Sequence, residues 1–325
     1  MRSLLALHSH GAGTSIEPAL ESSDEGMRAL KVSLVVLMAT AGFQVLVVAA
    51  SGSVALLSDT VHNFSDALTA IPLGVAFWLA RRPATRRYPY GYGRAEDLAG
   101  LFIVAMIALS AAVAAWEAVG RLLDPREIRH LGWVIAAGVI GFAGNEWVAS
   151  YRTRVGRRIG SAALVADGHH ARTDGLTSLA VVGGAIGVAL GAPLADPVVG
   201  LLIAVAIVLV LASAGRDVFR RLLDSVDPEL VGEVERVLAG VDGVEAVEAV
   251  RIRWVGHQLR AEAEIVSDCD LRLARAHAIA EEAHHRLLHQ IPRLATAIIH
   301  SNPCGHDGGA HHRATAHHFR RPLRT

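Results

Sequence analysis

The chain has 325 residues, 52% of them hydrophobic and 19% charged, with a mean hydropathy of +0.38, a balance too apolar for most soluble enzymes and long enough for a helical bundle plus a small domain. Its 31 Lys and Arg offset its 31 Asp and Glu, so the bulk charge gives no reason to expect a nucleic-acid partner. The two cysteines, Cys269 and Cys304, are too few for a disulfide framework and fit a reduced, cytosolic setting.

Residues 1–27 form a polar leader with His8, His10, Glu17, Glu21, Asp24 and Glu25. It lacks the short basic n-region and cleavage site of a signal peptide, and is expected to stay in the cytoplasm. Six apolar stretches follow, at 28–50, 53–80, 96–122, 131–152, 161–190 and 197–219. Each is long enough to cross ~30 Å at about 1.5 Å per residue. Residues 28–220 therefore read as a six-helix transmembrane domain embedded in the lipid bilayer. Arg81, Arg82, Arg86, Arg87 and Arg94 lie between the second and third stretches, and Arg152, Arg154, Arg157 and Arg158 between the fourth and fifth. The positive-inside rule makes both loops cytoplasmic and, with six crossings, both termini as well, which suits a multi-pass protein of the plasma (inner) membrane.

From Asp224 the texture turns polar and mixed, and 221–304 reads as a cytoplasmic α+β domain. An amphipathic helix from Pro228 to Leu238 has Asp227 as its cap and Gly240 to Gly243 as its stop. Strands are expected over Val244–Trp254 and Leu259–Ile265, a helix over Leu271–Leu288, and a last strand over Ala295–His300. This α-β-β-α-β order resembles a ferredoxin-like half. Residues 305–325, with His306, His311, His312, His317 and His318, carry no apolar periodicity and read as a His-rich disordered tail.

Two of the apolar stretches carry the same polar signature, D-x-x-H-x-x-x-D: Asp59, His62 and Asp66 in the second, Asp167, His170 and Asp174 in the fifth. The copies are three crossings apart, an odd number, so they run in opposite directions and form the inverted repeat typical of many secondary transporters, with the site at the midplane. A charged residue at the bilayer centre costs ~2.5 to 3.5 kcal/mol on insertion scales, so six ionisable side chains on two helices call for a function. His62 with Asp66, and His170 with Asp174, lie one helical turn apart on one face. Two imidazoles and two carboxylates suit tetrahedral Zn²⁺ by donor type, and the carboxylates cancel its charge in a low-dielectric interior. Asp59 and Asp167 are assigned to the outer and inner vestibules as attracting or proton-handling groups. Asn145 and Glu146 interrupt the fourth stretch with no assigned role.

The run His62-Asn63-Phe64-Ser65-Asp66, the second pair His170 and Asp174, and the loop Tyr90-Gly91-Tyr92-Gly93-Arg94-Ala95-Glu96 resemble the cation diffusion facilitator family of zinc transporters. The resemblance implies a homodimer of six-helix protomers with a ferredoxin-like cytoplasmic domain, exporting Zn²⁺ in exchange for protons through His62, Asp66, His170 and Asp174. It implies a cytoplasmic metal cluster at Glu248, Glu262, His277 and His300, with Asn302 at a further ligand place, and a salt bridge between Arg94 and Asp224. It also implies that a histidine site in the loop after the second helix is absent, since Tyr88 and Tyr92 stand there. Cys304 is read as packing at the end of a strand rather than as a ligand.

Zinc is thus the expected transported substrate, with a structural or regulatory zinc in the cytoplasmic domain as a further expectation. The alternatives are transport mainly of Cd²⁺, Co²⁺, Fe²⁺ or Mn²⁺, of which donor type disfavours Mn²⁺, and a non-transporting membrane zinc sensor. An enzyme is not expected, because the chain lacks H-E-x-x-H and an obvious general base.

Overall fold

The structure is a computed structural model that describes residues 16–51, 70–123, 131–192 and 195–304. Two compact units divide the chain: Met1–Leu223 with Val255–His257, and Asp224–Trp254 with Gln258–Thr325.

The first unit is helical. Its described helices are α1 (Ile16–Ser51), α2 (Ala70–Ala80), α3 (Arg94–Leu123), α4 (Leu131–Ile159), α5 (Ala162–Ala189) and α6 (Ala195–Leu222). Among the described residues, Ser22–Leu46, Arg94–Gly120 and Val198–Leu222 are each long and apolar enough to cross a membrane, and Ala70–Ala80 is a shorter apolar run. At 29 and 28 residues, α4 and α5 reach about 42 Å or more, also enough to span, but they carry the polar side chains discussed below. Leu73, Phe77, Ile103, Ile107, Leu164 and Ile207 are fully buried in the interior. Val35, Leu46, Trp116, Leu202 and Leu209 face outward. An apolar exterior around an apolar core is the arrangement lipid requires and water penalises.

The end of α4 differs from the sequence reading, which placed Arg152, Arg154, Arg157 and Arg158 in a loop. The helix instead runs to Ile159. Arginine is a good helix former, and cations near a helix C-terminus meet the negative end of its dipole. The link to α5 is only Gly160-Ser161. Gly160 takes φ 77°, the left-handed conformation glycine tolerates at a helix end. Ser161 Oγ then accepts from Leu164 N at 3.0 Å, which caps α5.

The second unit holds α7 (Pro228–Ala239), β1 (Ala246–Val255), β2 (Gln258–Ser267), α8 (Leu273–Gln290) and β3 (Leu294–Pro303), the α-β-β-α-β order expected from the sequence. The sheet order is β1-β2-β3. β2 and β3 are parallel, with Glu264 opposite His300 and Ser267 opposite Pro303; a parallel pair needs a crossover, and α8 supplies it. Val234 and Leu238 on α7, and Ile279, Ala283 and Leu287 on α8, recur at helical spacing and are buried with Ile252, Leu259 and Ile265 of the sheet.

Asp227 caps α7 as the sequence suggests, its carboxylate accepting from Glu229 N at 3.0 Å. Asp227→Ala should cost about 1 kcal/mol, read as faster amide exchange in the first turn of α7 with the sheet amides unchanged.

Candidate metal centre

The polar stripe of α5 begins about two turns past its cap. Asp167, His170 and Asp174 are respectively 0%, 1% and 3% exposed. His170 Nδ1 lies 3.8 Å from Asp174 Oδ1, so an imidazole and a carboxylate meet on one helix face. Thr173 Oγ1 donates to His170 O at 2.6 Å, and Thr177 Oγ1 to Asp174 O at 2.7 Å. These back-bonds satisfy hydroxyls that would otherwise be unpaired in an apolar bundle and tend to bend a helix at that point. An imidazole and a carboxylate are both donor types that a tetrahedral metal site could use. Asp59, His62 and Asp66 lie outside the described residues.

Asp167 meets Arg152. The guanidinium Nη1 is 2.8 Å from Asp167 Oδ2, and Arg152 is itself 1% exposed. The sequence reading of Arg152 as a loop cation is therefore corrected: it is an interhelical ion pair of α4 and α5. Close backbone approach brings the two helices together. A Cβ at Gly168 would come within 2.5 Å of Thr153 Oγ1 and 2.9 Å of Thr153 N, and one at Gly156 within 2.9 Å of Val165 N. Arg152 Nε and Nη2 are buried, and no protein acceptor among the described residues meets them.

Glu146, left without a role by the sequence, takes Arg172 of α5 in a bidentate grip, with nitrogen–oxygen distances of 2.7 and 3.0 Å, and also accepts from Ser150 Oγ at 3.2 Å. Its neighbour Asn145 is buried. The signal for both ion pairs was present as charges inside apolar helices, but α4 and α5 each carry several candidates and only the packing chooses among them.

Arg94 Nη1 pairs with Asp97 Oδ2 at 3.3 Å, in the first turn of α3. Asp224, directly after α6, has φ 56°.

In the second unit, Glu262 and His300 line one concavity on the sheet with Arg251 and Glu264, though the in-register partner of His300 is Glu264. Glu248 accepts from Asn302 Nδ2 at 2.8 Å, and His277 is exposed on α8. Among the described residues, no three of Glu248, Glu262, His277 and His300 gather within ligand reach of one another; the cluster that does is Asp268, Cys269 and Cys304. Cys269 and Cys304 are joined as a disulfide, against the expectation of reduced thiols. They are 35 residues apart in sequence, and the β2–β3 register that brings them together is invisible without the sheet.

The family profile for the cation efflux transmembrane domain matches residues 30–223, and the profile for the cation efflux protein cytoplasmic domain matches residues 226–304. The chain belongs to the cation efflux family. It is 59% identical over 306 residues to a "Probable cation efflux system protein" of Mycobacterium tuberculosis, covering 94% of this chain and 92% of that one. It is 28% identical to "Metal tolerance protein 2" of Oryza sativa subsp. japonica, over 90% of this chain and 82% of that one. The magnetosome protein MamB of Paramagnetospirillum magneticum is 25% identical over 78% of this chain and 86% of its own length. The protein is thus a multi-pass membrane transporter of divalent metal cations, and not an enzyme.

Removing one partner of a buried ion pair strands the other, at about 3 to 5 kcal/mol. Arg152→Met and Asp167→Asn should each lower the thermal unfolding midpoint in detergent markedly. The double substitution should recover much of the loss, because no buried charge then remains alone.

Proposed function

We propose that this member of the cation efflux family exports Zn²⁺ from the cytoplasm in exchange for protons, through a midplane site of His62, Asp66, His170 and Asp174. The observation that carries the reading is the buried His170–Asp174 pair inside a membrane helix. A helix pays to bury an imidazole and a carboxylate together, and a divalent cation held between them and a second such pair offsets that cost. Two nitrogen and two oxygen donors suit Zn²⁺ better than Mn²⁺ or Mg²⁺, which favour more oxygen ligands.

Proton coupling follows from the donors. An imidazole with an ordinary pKa of ~6.5 is a neutral ligand at cytoplasmic pH and takes a proton on a more acidic side. Protonation there competes with the metal and releases it, and the proton travels inward as the site reopens, so the proton gradient drives export. Asp167 serves the inner approach by exchanging its contact with Arg152 for the arriving cation, and Asp59 serves the outer one.

In this reading residues 28–220 form the transmembrane domain and 221–304 a cytoplasmic domain, with 1–27 and 305–325 as cytoplasmic segments and the plasma membrane as the location. The protomer pairs as a homodimer, a reading supported by the match to the cytoplasmic-domain profile. Glu248, Glu262, His277 and His300 are weaker candidates for a cytoplasmic zinc, and Arg94 with Asp224 for a salt bridge at the end of α6. The names of the relatives leave the ion open, so the second reading is the same transport with Cd²⁺ or Co²⁺ preferred.

Flux into proteoliposomes across an imposed pH gradient tests this. Zn²⁺ uptake should follow the gradient, collapse with it, and fall at least about a hundredfold in Asp174→Ala, a direct ligand losing no less than the 10–100-fold typical of its supporting groups. Faster Cd²⁺ or Co²⁺ flux through the same residues would favour the second reading. An absence of flux for every ion, in protein shown to be folded and inserted, would leave a zinc sensor as the better account.

A further inference from the structure

Two parallel strands deliver the chain's cysteines to one place. β2 ends at Ser267 and β3 at Pro303, partners in register, so Asp268-Cys269 and Cys304 leave the sheet side by side. Backbone bonds hold them there: Cys304 N donates to Ser267 O at 2.9 Å, and Cys269 N donates to Cys304 Sγ at 3.3 Å. The buried Ser267 hydroxyl adds a 2.9 Å bond to Ser301 Oγ across the same strand ends. Asp268 Oδ1 accepts from Asp270 N at 2.8 Å, and the ligand atoms of Asp268, Cys269 and Cys304 all lie within 4.8 Å of one another.

We propose that, with the disulfide reduced, Asp268, Cys269 and Cys304 form a second metal site, for a thiophilic divalent cation such as Zn²⁺ or Cd²⁺. Two thiolates and a carboxylate supply three tetrahedral positions and water the fourth. With Zn–S bonds of ~2.3 Å at a tetrahedral angle, the sulfurs would stand about 3.8 Å apart. The 5.0 Å separation of the two Cα atoms accommodates that by rotation of the cysteine side chains, with the sheet unmoved. Three negative donors around a divalent ion leave a net negative complex, which is tolerable because Asp268 and Cys269 are exposed to solvent.

The site and the disulfide exclude each other, because they use the same two sulfurs. A dithiol reductant opens the bond by passing two electrons and two protons to it, leaving two thiols here and a disulfide on the reductant. The arriving cation then displaces the two thiol protons, which go to solvent. Oxidation reverses this and expels the metal. Metal loading at this site is therefore governed by thiol redox state, independently of the nitrogen and oxygen donors of α5.

The chain contains only two cysteines, so a cadmium–thiolate charge-transfer band in the ultraviolet can come from this site alone. Full-length protein in detergent, reduced with a dithiol and then freed of it, is titrated with Cd²⁺ under anaerobic conditions. The expected result is a band saturating at one Cd²⁺ per chain and quenched by competing Zn²⁺. It should be absent from oxidised protein and lost in Cys269→Ser and in Cys304→Ser. In Asp268→Asn the affinity should fall at least about tenfold, the lower end of what even supporting groups contribute. Protection of the unmutated thiols from maleimide by Zn²⁺ gives a reading that needs no variant to fold. A reduced, folded protein with no band and no protection overturns the proposal, as does a band whose affinity ignores Asp268→Asn. Zinc flux of the doubly serine-substituted chain is read separately, so failure at this site is distinguishable from failure of the transport site.

Discussion

The structure depends on charge held out of water. Asp167, His170, Asp174 and Arg152 are all nearly inaccessible, in helices whose outer faces meet lipid. Isolated, any one of them would be expelled or neutralised; the ion pair of Arg152 with Asp167 answers two of the charges, and the cation proposed above would answer those of His170 and Asp174. Glycine makes that possible. At Gly156 and Gly168 the backbones of α4 and α5 come closer than a side chain would allow, which sets the distance over which Arg152 reaches Asp167.

Among the described residues, the α4–α5 pair accordingly gathers the buried charges of the membrane unit named above. Arg152 keeps two buried nitrogens without a hydrogen-bond partner among the described residues of the protein. The small sheet unit solves a different problem. Its metal-capable donors stand at the solvent-exposed ends of two strands and include sulfur, so the two places differ in donor chemistry, in access and in sensitivity to oxidation.

Much of this was legible in the sequence. The apolar stretches, the change of texture at Asp224, the α-β-β-α-β order and the Asp227 cap all rest on local rules, namely hydropathy, periodicity and side-chain capping. The burial of Asp167, His170 and Asp174 on one helix fits the second copy of the D-x-x-H-x-x-x-D motif, which stands out because intramembrane charge is costly; the first copy lies outside the described residues. What escaped notice depends on pairing across elements. Arg152 looked like a loop cation because hydropathy falls where α4 continues, and its partner is fixed by packing. Cys269 and Cys304 looked like isolated thiols because a parallel register across a crossover helix cannot be counted along the chain.

X-ray absorption at the zinc K-edge measures the donor set proposed for the membrane site most directly. The sample is full-length protein with both cysteines changed to serine, loaded with one Zn²⁺ per chain. Four nitrogen and oxygen ligands at about 2.0 to 2.1 Å, with the multiple-scattering signature of two imidazoles that disappears for one of them in His170→Ala, is the predicted result. Six oxygen ligands with no imidazole scattering, or a spectrum unchanged by His170→Ala, would contradict it.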